Sequence, residues 1–292
     1  MTGLPRTLRL RVAGITLSLA VPGGLPFPRL PGASRRFIAS RGGEIRLRLS
    51  SEIPPEPAPS RLLFDSGQVW RVYRHGAGLL YTFDIPGRRP STYKAVAIDR
   101  GMSSGILYLP RHADGPSLST ALDFPLDELL FQHRLAREGA VDLHACGIKA
   151  GAGVFLFCGH SGAGKTTTAW LWRRHCPAVS VLSDDRIVVR ELRAGFRAYG
   201  TPWHGEAGYA EPGSGEIRSV CFLRHAAQSS LRRLPPPEAA ARLFARTFPP
   251  LWQRDAVRNT LRTCCRLANE LPCYDFGFRP DRSAVETIQE TF

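Results

Sequence analysis

Residues 154–172 read VFLFCGHSGAGKTTTAWLW, three kinds of sequence in a row. Val154-Phe155-Leu156-Phe157-Cys158 is an unbroken apolar run with the length of a buried strand. Gly159-His160-Ser161-Gly162-Ala163-Gly164-Lys165-Thr166 then matches G-x-x-x-x-G-K-[ST] in full, and from Thr167 to Arg174 the pattern reads as a helix. Strand, glycine-rich turn and helix in that order specify a phosphate-binding loop. Glycine lets successive backbone N–H groups turn inward on phosphate oxygens, and the helix N-terminus adds partial positive charge. The nucleotide-binding positions are therefore Gly159, Ser161, Gly162, Ala163, Gly164, Lys165, Thr166 and Thr167. Lys165 reaches the β- and γ-phosphates, and the Thr166 hydroxyl ligates Mg²⁺. The chain has only three lysines, Lys94, Lys149 and Lys165, and otherwise uses arginine, which argues against an incidental lysine here.

On either side of this stretch lie the side chains that chemistry would need. Residues 140–150, AVDLHACGIKA, read as a strand, and Gly151-Ala152-Gly153 turns it back into the run at 154–158. Antiparallel pairing of the two brings His144 close to the loop. After the helix, Val179-Ser180-Val181-Leu182-Ser183 is a second apolar strand ending in Asp184-Asp185. A strand that delivers a carboxylate beside a phosphate loop is the arrangement that holds Mg²⁺ opposite the loop hydroxyl. Two adjacent acids allow one to serve the metal and the other to accept a proton from an attacking hydroxyl. A further polar loop, Gly200-Thr201-Pro202-Trp203-His204-Gly205-Glu206, is read equally as a tryptophan-anchored turn or as a site in which Glu206 completes the metal shell and His204 touches substrate. Arg242, Arg246, Arg254, Arg258 and Arg262 are expected mostly on solvated faces, and any one of them could reach in as a charge stabiliser.

Composition narrows the rest. At 292 residues and 43% hydrophobic the chain holds one large domain or two modest ones. It has no apolar run of about eighteen residues to span a membrane and no signal-peptide pattern. Seven cysteines without C-x-x-C pairs fit buried thiols in a reducing cytosol, so a cytoplasmic location is expected. The net charge of +14 attracts an acidic protein partner or an anionic nucleotide. The arginines are spread along the chain without interleaved aromatics, so nucleic-acid binding is not expected.

Residues 1–125 form a β-rich region. Alternation predicts strands over 8–19, 44–49, 68–73, 78–85, 93–98 and 105–109, with a hairpin at His75-Gly76-Ala77-Gly78 and loops over 22–31 and 51–60. His75 and His112 read as surface histidines. Residues 126–292 form the second domain. Helices are predicted over 126–137, 238–248, 254–271 and 280–292, and strands over 187–192, 196–199, 217–223 and 273–278. The fold class expected is α/β (α+β), a β-rich N-terminal region, either a docking or an accessory domain, followed by a phosphate-loop domain.

Leu143-His144-Ala145, the loop from Gly159 to Thr167, and Leu182-Ser183-Asp184-Asp185 together resemble the kinase domain of the HPr kinase/phosphorylase family. These are bacterial serine kinases related to ATP-dependent phosphoenolpyruvate carboxykinase. The resemblance covers about residues 126–280. It implies an ATP- and Mg²⁺-dependent kinase acting on a serine or similar hydroxyl of a protein, a peptide or a small molecule. It also implies His144, Lys165, Asp184 and Asp185 as catalytic residues, and Thr166, Asp184, Asp185 and Glu206 as metal ligands. Where HPr kinases carry Glu-Ile-Arg-Gly, this chain has Thr201 to Glu206. Its first half also differs from their usual regulatory domain and is closer to divergent relatives, some of which act in modified-peptide gene clusters. HPr is therefore not assumed as the acceptor. The other classes considered are a nucleotide-binding partner or scaffold without transfer and an NTP-hydrolysing switch. Oligomeric state is open, with a homo-oligomer among the outcomes.

Overall fold

The computed structural model describes residues 6–85, 92–110 and 121–292; His112 lies outside them. The protein is mixed α/β, with two large sheets. It divides into two compact units, Met1–Arg134 and Leu135–Phe292, the division falling inside helix α1 (Leu126–Arg137).

The N-terminal unit is built on β1 (Arg6–Val12), β2 (Ile15–Val21), β3 (Ile45–Ser50), β4 (Leu62–Asp65), β5 (Trp70–His75), β6 (Gly78–Asp84), β7 (Thr92–Ile98) and β8 (Ser104–Tyr108). Their order in the sheet is β1-β2-β3-β8-β7-β6-β5-β4. The alternating run 8–19 is two strands, not one. Ala13 (φ 49°) and Gly14 (φ 85°) turn the chain so that Val12 pairs with Ile15. Two consecutive residues with positive φ give the turn whose twist matches paired strands. The sequence trace of this turn is a phase shift, from apolar residues at even positions (Leu8, Leu10) to odd ones (Leu17, Leu19). The expected hairpin at His75 forms, with His75 facing Gly78 across Gly76. Within this unit α1 meets the sheet through a buried pair, the Tyr81 hydroxyl 2.6 Å from His133 Nδ1.

The C-terminal unit contains β9 (Val141–Ala150), β10 (Gly153–Cys158), α2 (Lys165–His175), β11 (Ser180–Ser183), β12 (Arg186–Leu192), β13 (Gly195–Gly200) and β14 (Ser214–His225). After these come β15 (Ser230–Arg233), α3 (Pro236–Phe244), α4 (Arg254–Glu270), β16 (Cys273–Phe278) and α5 (Ser283–Thr291). The sheet order is β10-β9-β12-β13-β14-β16-β15, with β11 on β9. Because β10 also pairs in parallel with β14, strands β9, β10, β14, β13 and β12 close into a ring. Residues of β10 alternate between two cores, as a strand buried on both faces must. Val154, Leu156 and Cys158 join Leu243 and Leu267 of α3 and α4, while Phe155 and Phe157 pack with Trp172 of α2 and Ile288 of α5. Burial of each such side chain is worth ~1.5–3 kcal/mol, so β10 is among the most firmly held strands of the unit.

The helix expected over 238–248 ends at Phe244. Thr247 instead bridges Leu143 of β9, and the Arg246 carbonyl accepts a hydrogen bond from the His144 N–H at 2.8 Å. Pro249 keeps the helix from running through Phe248, because a residue preceding proline is driven from the helical region toward extended backbone. Strands β4 and β15, each four residues long, carry too short a pattern to be read from sequence.

Candidate active site

The loop between β10 and α2 has the conformation its glycines imply. Gly162 (φ 78°) and Gly164 (φ 104°) are left-handed, and Gly164 is the N-cap of α2. A Cβ on Gly164 would lie 2.3 Å from the Phe278 ring, so close packing by β16 adds a second reason for glycine there. Lys165 is buried and curls back over the loop, its Nζ donating to the carbonyls of Gly159 (3.1 Å) and His160 (3.2 Å). The Thr168 hydroxyl ties α2 to the Gly164 carbonyl at 2.9 Å. The Ser161, Gly162 and Thr166 side of the loop faces solvent, and Thr167 is half-buried.

Antiparallel pairing sets Cys158 opposite Ala145, which carries His144 one residue beyond the end of β10, at the mouth of the loop. There His144 Nε2 lies 2.9 Å from Asp185 Oδ1, the imidazole N–H donating to the carboxylate. The same oxygen is 3.8 Å from Lys165 Nζ, and Arg186 Nε is 3.5 Å from Oδ2. Burial pushes the Asp185 carboxyl up, but the His144 hydrogen bond and the charges of His144, Arg186 and Lys165 outweigh it, and the group ionises below the usual carboxylate value. For Lys165 burial is the largest influence and draws the ammonium below its ordinary value, against the opposing charge of Asp185.

Asp184, its neighbour, is placed differently. It is buried, with Oδ1 accepting from the Gly205 N–H and Oδ2 from the Ala207 N–H, both at 3.1 Å. The two adjacent acids thus face opposite ways, Asp185 toward the lysine and Asp184 into the loop after β13. Ser183 sets this split. Its buried hydroxyl accepts from the N–H groups of Asp185 (3.2 Å) and Arg186 (3.1 Å) and donates to the Trp203 carbonyl at 3.1 Å. In the 200–207 loop, Trp203 is buried while His204 and Glu206 are exposed. Neither of these two has a hydrogen bond or ion pair to His144, Lys165 or Asp185 among the described residues.

Sequence reasoning did not single out Phe248. Its ring lies edge-on to His144, with centroids 5.8 Å apart, and the Arg186 guanidinium sits 3.5 Å above it. Of the five candidate arginines, Arg246 is the one whose backbone is bonded to His144; its guanidinium lies over the Phe222 ring at 5.4 Å. Arg242 is engaged by Asp275 and Glu238, Arg258 by Asp255, and Arg262 by Asn259. The thiols of Cys146 and Cys158, under the loop, are pushed upward by burial and are held as neutral core groups.

The loop and its surroundings fit a nucleotide's phosphates, with a cradle open to solvent and a buried lysine at its base. No group of three or more His, Cys, Asp or Glu side chains arranged to hold a metal occurs among the described residues, so Asp184, Asp185 and Glu206 do not form one. Mg²⁺ carried by a nucleotide is held largely by phosphate oxygens and water, and the Thr166 hydroxyl is the loop oxygen that could join them. Among the described residues no helix is long and apolar enough to cross a membrane. No family model matches this chain, and no curated protein matches it.

Proposed function

We propose that this protein is an ATP- and Mg²⁺-dependent kinase of the HPr-kinase-like type, transferring a phosphoryl group to a serine or similar hydroxyl. The observation that carries this reading is the position of Asp185, a carboxylate 3.8 Å from the phosphate-loop lysine and oriented by His144 at 2.9 Å. A loop that only bound nucleotide would have no need of an acid held in one orientation by an imidazole. In this reading the loop backbone and Lys165 hold the β- and γ-phosphates, and Lys165 leaves its loop carbonyls to do so. Bound Mg²⁺ would neutralise phosphate charge, with Thr166 as its protein ligand. The acceptor hydroxyl forms its bond to the γ-phosphorus as the bond to the bridging oxygen breaks, and the departing ADP keeps that electron pair. The hydroxyl proton goes to Asp185, whose ionised state at neutral pH is maintained by His144, Lys165 and Arg186. Asp184 holds the loop after β13 in register with the site. Catalysis of this kind is mostly positioning and charge stabilisation, which rigid neighbours such as Ser183 and Phe248 supply.

Transfer from γ-labelled ATP with Mg²⁺ to HPr, free serine and serine-containing peptides tests the reading. Wild type is expected to label one acceptor and Lys165→Ala none. Label on no acceptor with ATP still bound would favour a nucleotide-binding partner. Acceptor-independent hydrolysis at the full rate would favour a switch.

A further inference from the structure

The positive charge of the chain is concentrated where the phosphate site is not. Residues 1–50 contain nine arginines and one acid, Glu44. Strand register gathers several of them on one face of the N-terminal sheet. Arg9 pairs with Ser18 and Ser18 with Arg46, while Arg11 pairs with Thr16 and Arg48 with Ala20, so Arg9, Arg11, Arg46 and Arg48 share that face. Arg11, Arg46 and Arg48 are exposed and Arg9 is half-buried. Two strand spacings put the β1 and β3 arginines about 10 Å apart, and neighbours along each strand are about 7 Å apart.

In the C-terminal unit nine of the nineteen arginines have an acidic partner, among them Arg190 with Glu138, Arg242 with Asp275, Arg279 with Asp281 and Arg282 with Glu286. None of Arg9, Arg11, Arg46 and Arg48 has an acidic partner among the described residues, and the buried Nε of Arg9 has no hydrogen-bond partner there. Glu44, the one acid of residues 1–50, accepts from the backbone N–H of Thr16 at 2.7 Å. Four like charges kept together, with Glu44 alone among the acids of residues 1–50 on their face, repel one another, and an outside anion would relieve that repulsion.

We infer that this face of β1–β3 binds an acidic polypeptide segment in extended form. Alternate residues of an extended peptide repeat at the same spacing as the arginines along β3, so carboxylates at every second position meet Arg46 and Arg48 together. The residues between the arginines, Thr16, Ser18 and Ala20, offer no aromatic platform on which bases could stack, which disfavours a single-stranded nucleic acid. The inference is independent of the phosphotransfer reading and does not use the phosphate loop.

The test is binding of the full-length protein to a short fluorescein-labelled peptide of alternating Glu and Ser, followed by anisotropy at low and physiological salt, with a labelled single-stranded DNA in parallel. Wild type is expected to bind the peptide more tightly than the DNA, with affinity falling as salt rises. Arg46→Glu with Arg48→Glu should weaken peptide binding by roughly tenfold or more. Arg46→Gln with Arg48→Gln, which places no new charge, should give a smaller loss at an unchanged melting temperature. Arg193→Glu with Arg258→Glu alters net charge equally in the other unit and should leave binding intact. Equal loss in both charge-reversed variants would reduce the effect to bulk charge and overturn the inference. Absence of peptide binding by wild type, or tighter binding of DNA that Arg46→Glu with Arg48→Glu abolishes, would overturn it as well.

Discussion

Asp184 and Asp185 are neighbours with the same side chain and different surroundings. The carboxylate of Asp184 is spent on the backbone N–H groups of Gly205 and Ala207. Replacing it with Asn removes one acceptor from a buried position, for which ~1–3 kcal/mol of stability should be lost. Asp185→Asn keeps the shape but removes the charge and the proton acceptor at the site. It should lower the transfer rate by roughly 10²–10⁴-fold with nucleotide affinity nearly retained. Thermal melts, calorimetric nucleotide binding and single-turnover transfer on both variants separate the two roles. Rate loss at an unchanged melting temperature in Asp184→Asn would place that residue in the chemistry instead.

At the scale of elements, the join of β10 to α2 depends on backbone that only glycine adopts easily, and β16 packs against it. Gly162 and Gly164 are both left-handed, so alanine at either costs ~1–2 kcal/mol. Their surroundings differ, since a Cβ on Gly162 meets nothing within 4 Å whereas one on Gly164 meets the Phe278 ring. Gly164→Ala should therefore be the more destabilising of the two, by a further ~1–3 kcal/mol of overpacking. Chemical denaturation of the two single variants measures the difference. The end of α3 is a second such join. Because the chain leaves the helix at Phe244, the segment with Arg246 and Thr247 completes the edge of β9 and seats Phe248 against His144 and Arg186.

For the whole molecule, carboxylates in both units respond to acid in the same direction. Asp99, in the N-terminal unit, feels burial first, which raises it, but hydrogen bonds from residues 101–104 outweigh this. Asp275 and Asp185, in the C-terminal unit, are likewise raised by burial and carried below their ordinary value, by Arg242 and Arg224 in one case and chiefly by His144 in the other. A depressed carboxylate contributes stability that is fully present above its unfolded value and is lost as pH falls through the lower folded value. The melting temperature should accordingly hold between pH 7 and 5 and fall once pH drops below about 4. Asp275→Asn should flatten that fall, and an unchanged acid limb in this variant would count against the Arg242 pair as a cause.

Much of the fold and the candidate site was legible because it rests on local pattern. The run 154–158, the glycine spacing, the periodicity of residues 126–137 and the acid pair closing an apolar strand are each set within a few residues, and each corresponds to an element in the structure. The nine arginines of residues 1–50 read, in the sequence, only as part of a charge spread along the chain. Register across β1, β2 and β3, not sequence distance, sets Arg9 and Arg46 on one face, with Ser18 between them. The phase shift at Ala13-Gly14 and the short strands β4 and β15 were below what periodicity resolves. By itself the sequence determined a strand, a glycine-rich turn and a helix in that order, with a lysine, a histidine and two acids near the turn. Only the tertiary structure decided which acid faces the lysine, that Phe248 and the Arg246 segment close on His144, and that the Glu206 side chain is exposed. Those outcomes depend on hydrogen bonds and packing between residues tens of positions apart, which no local pattern encodes.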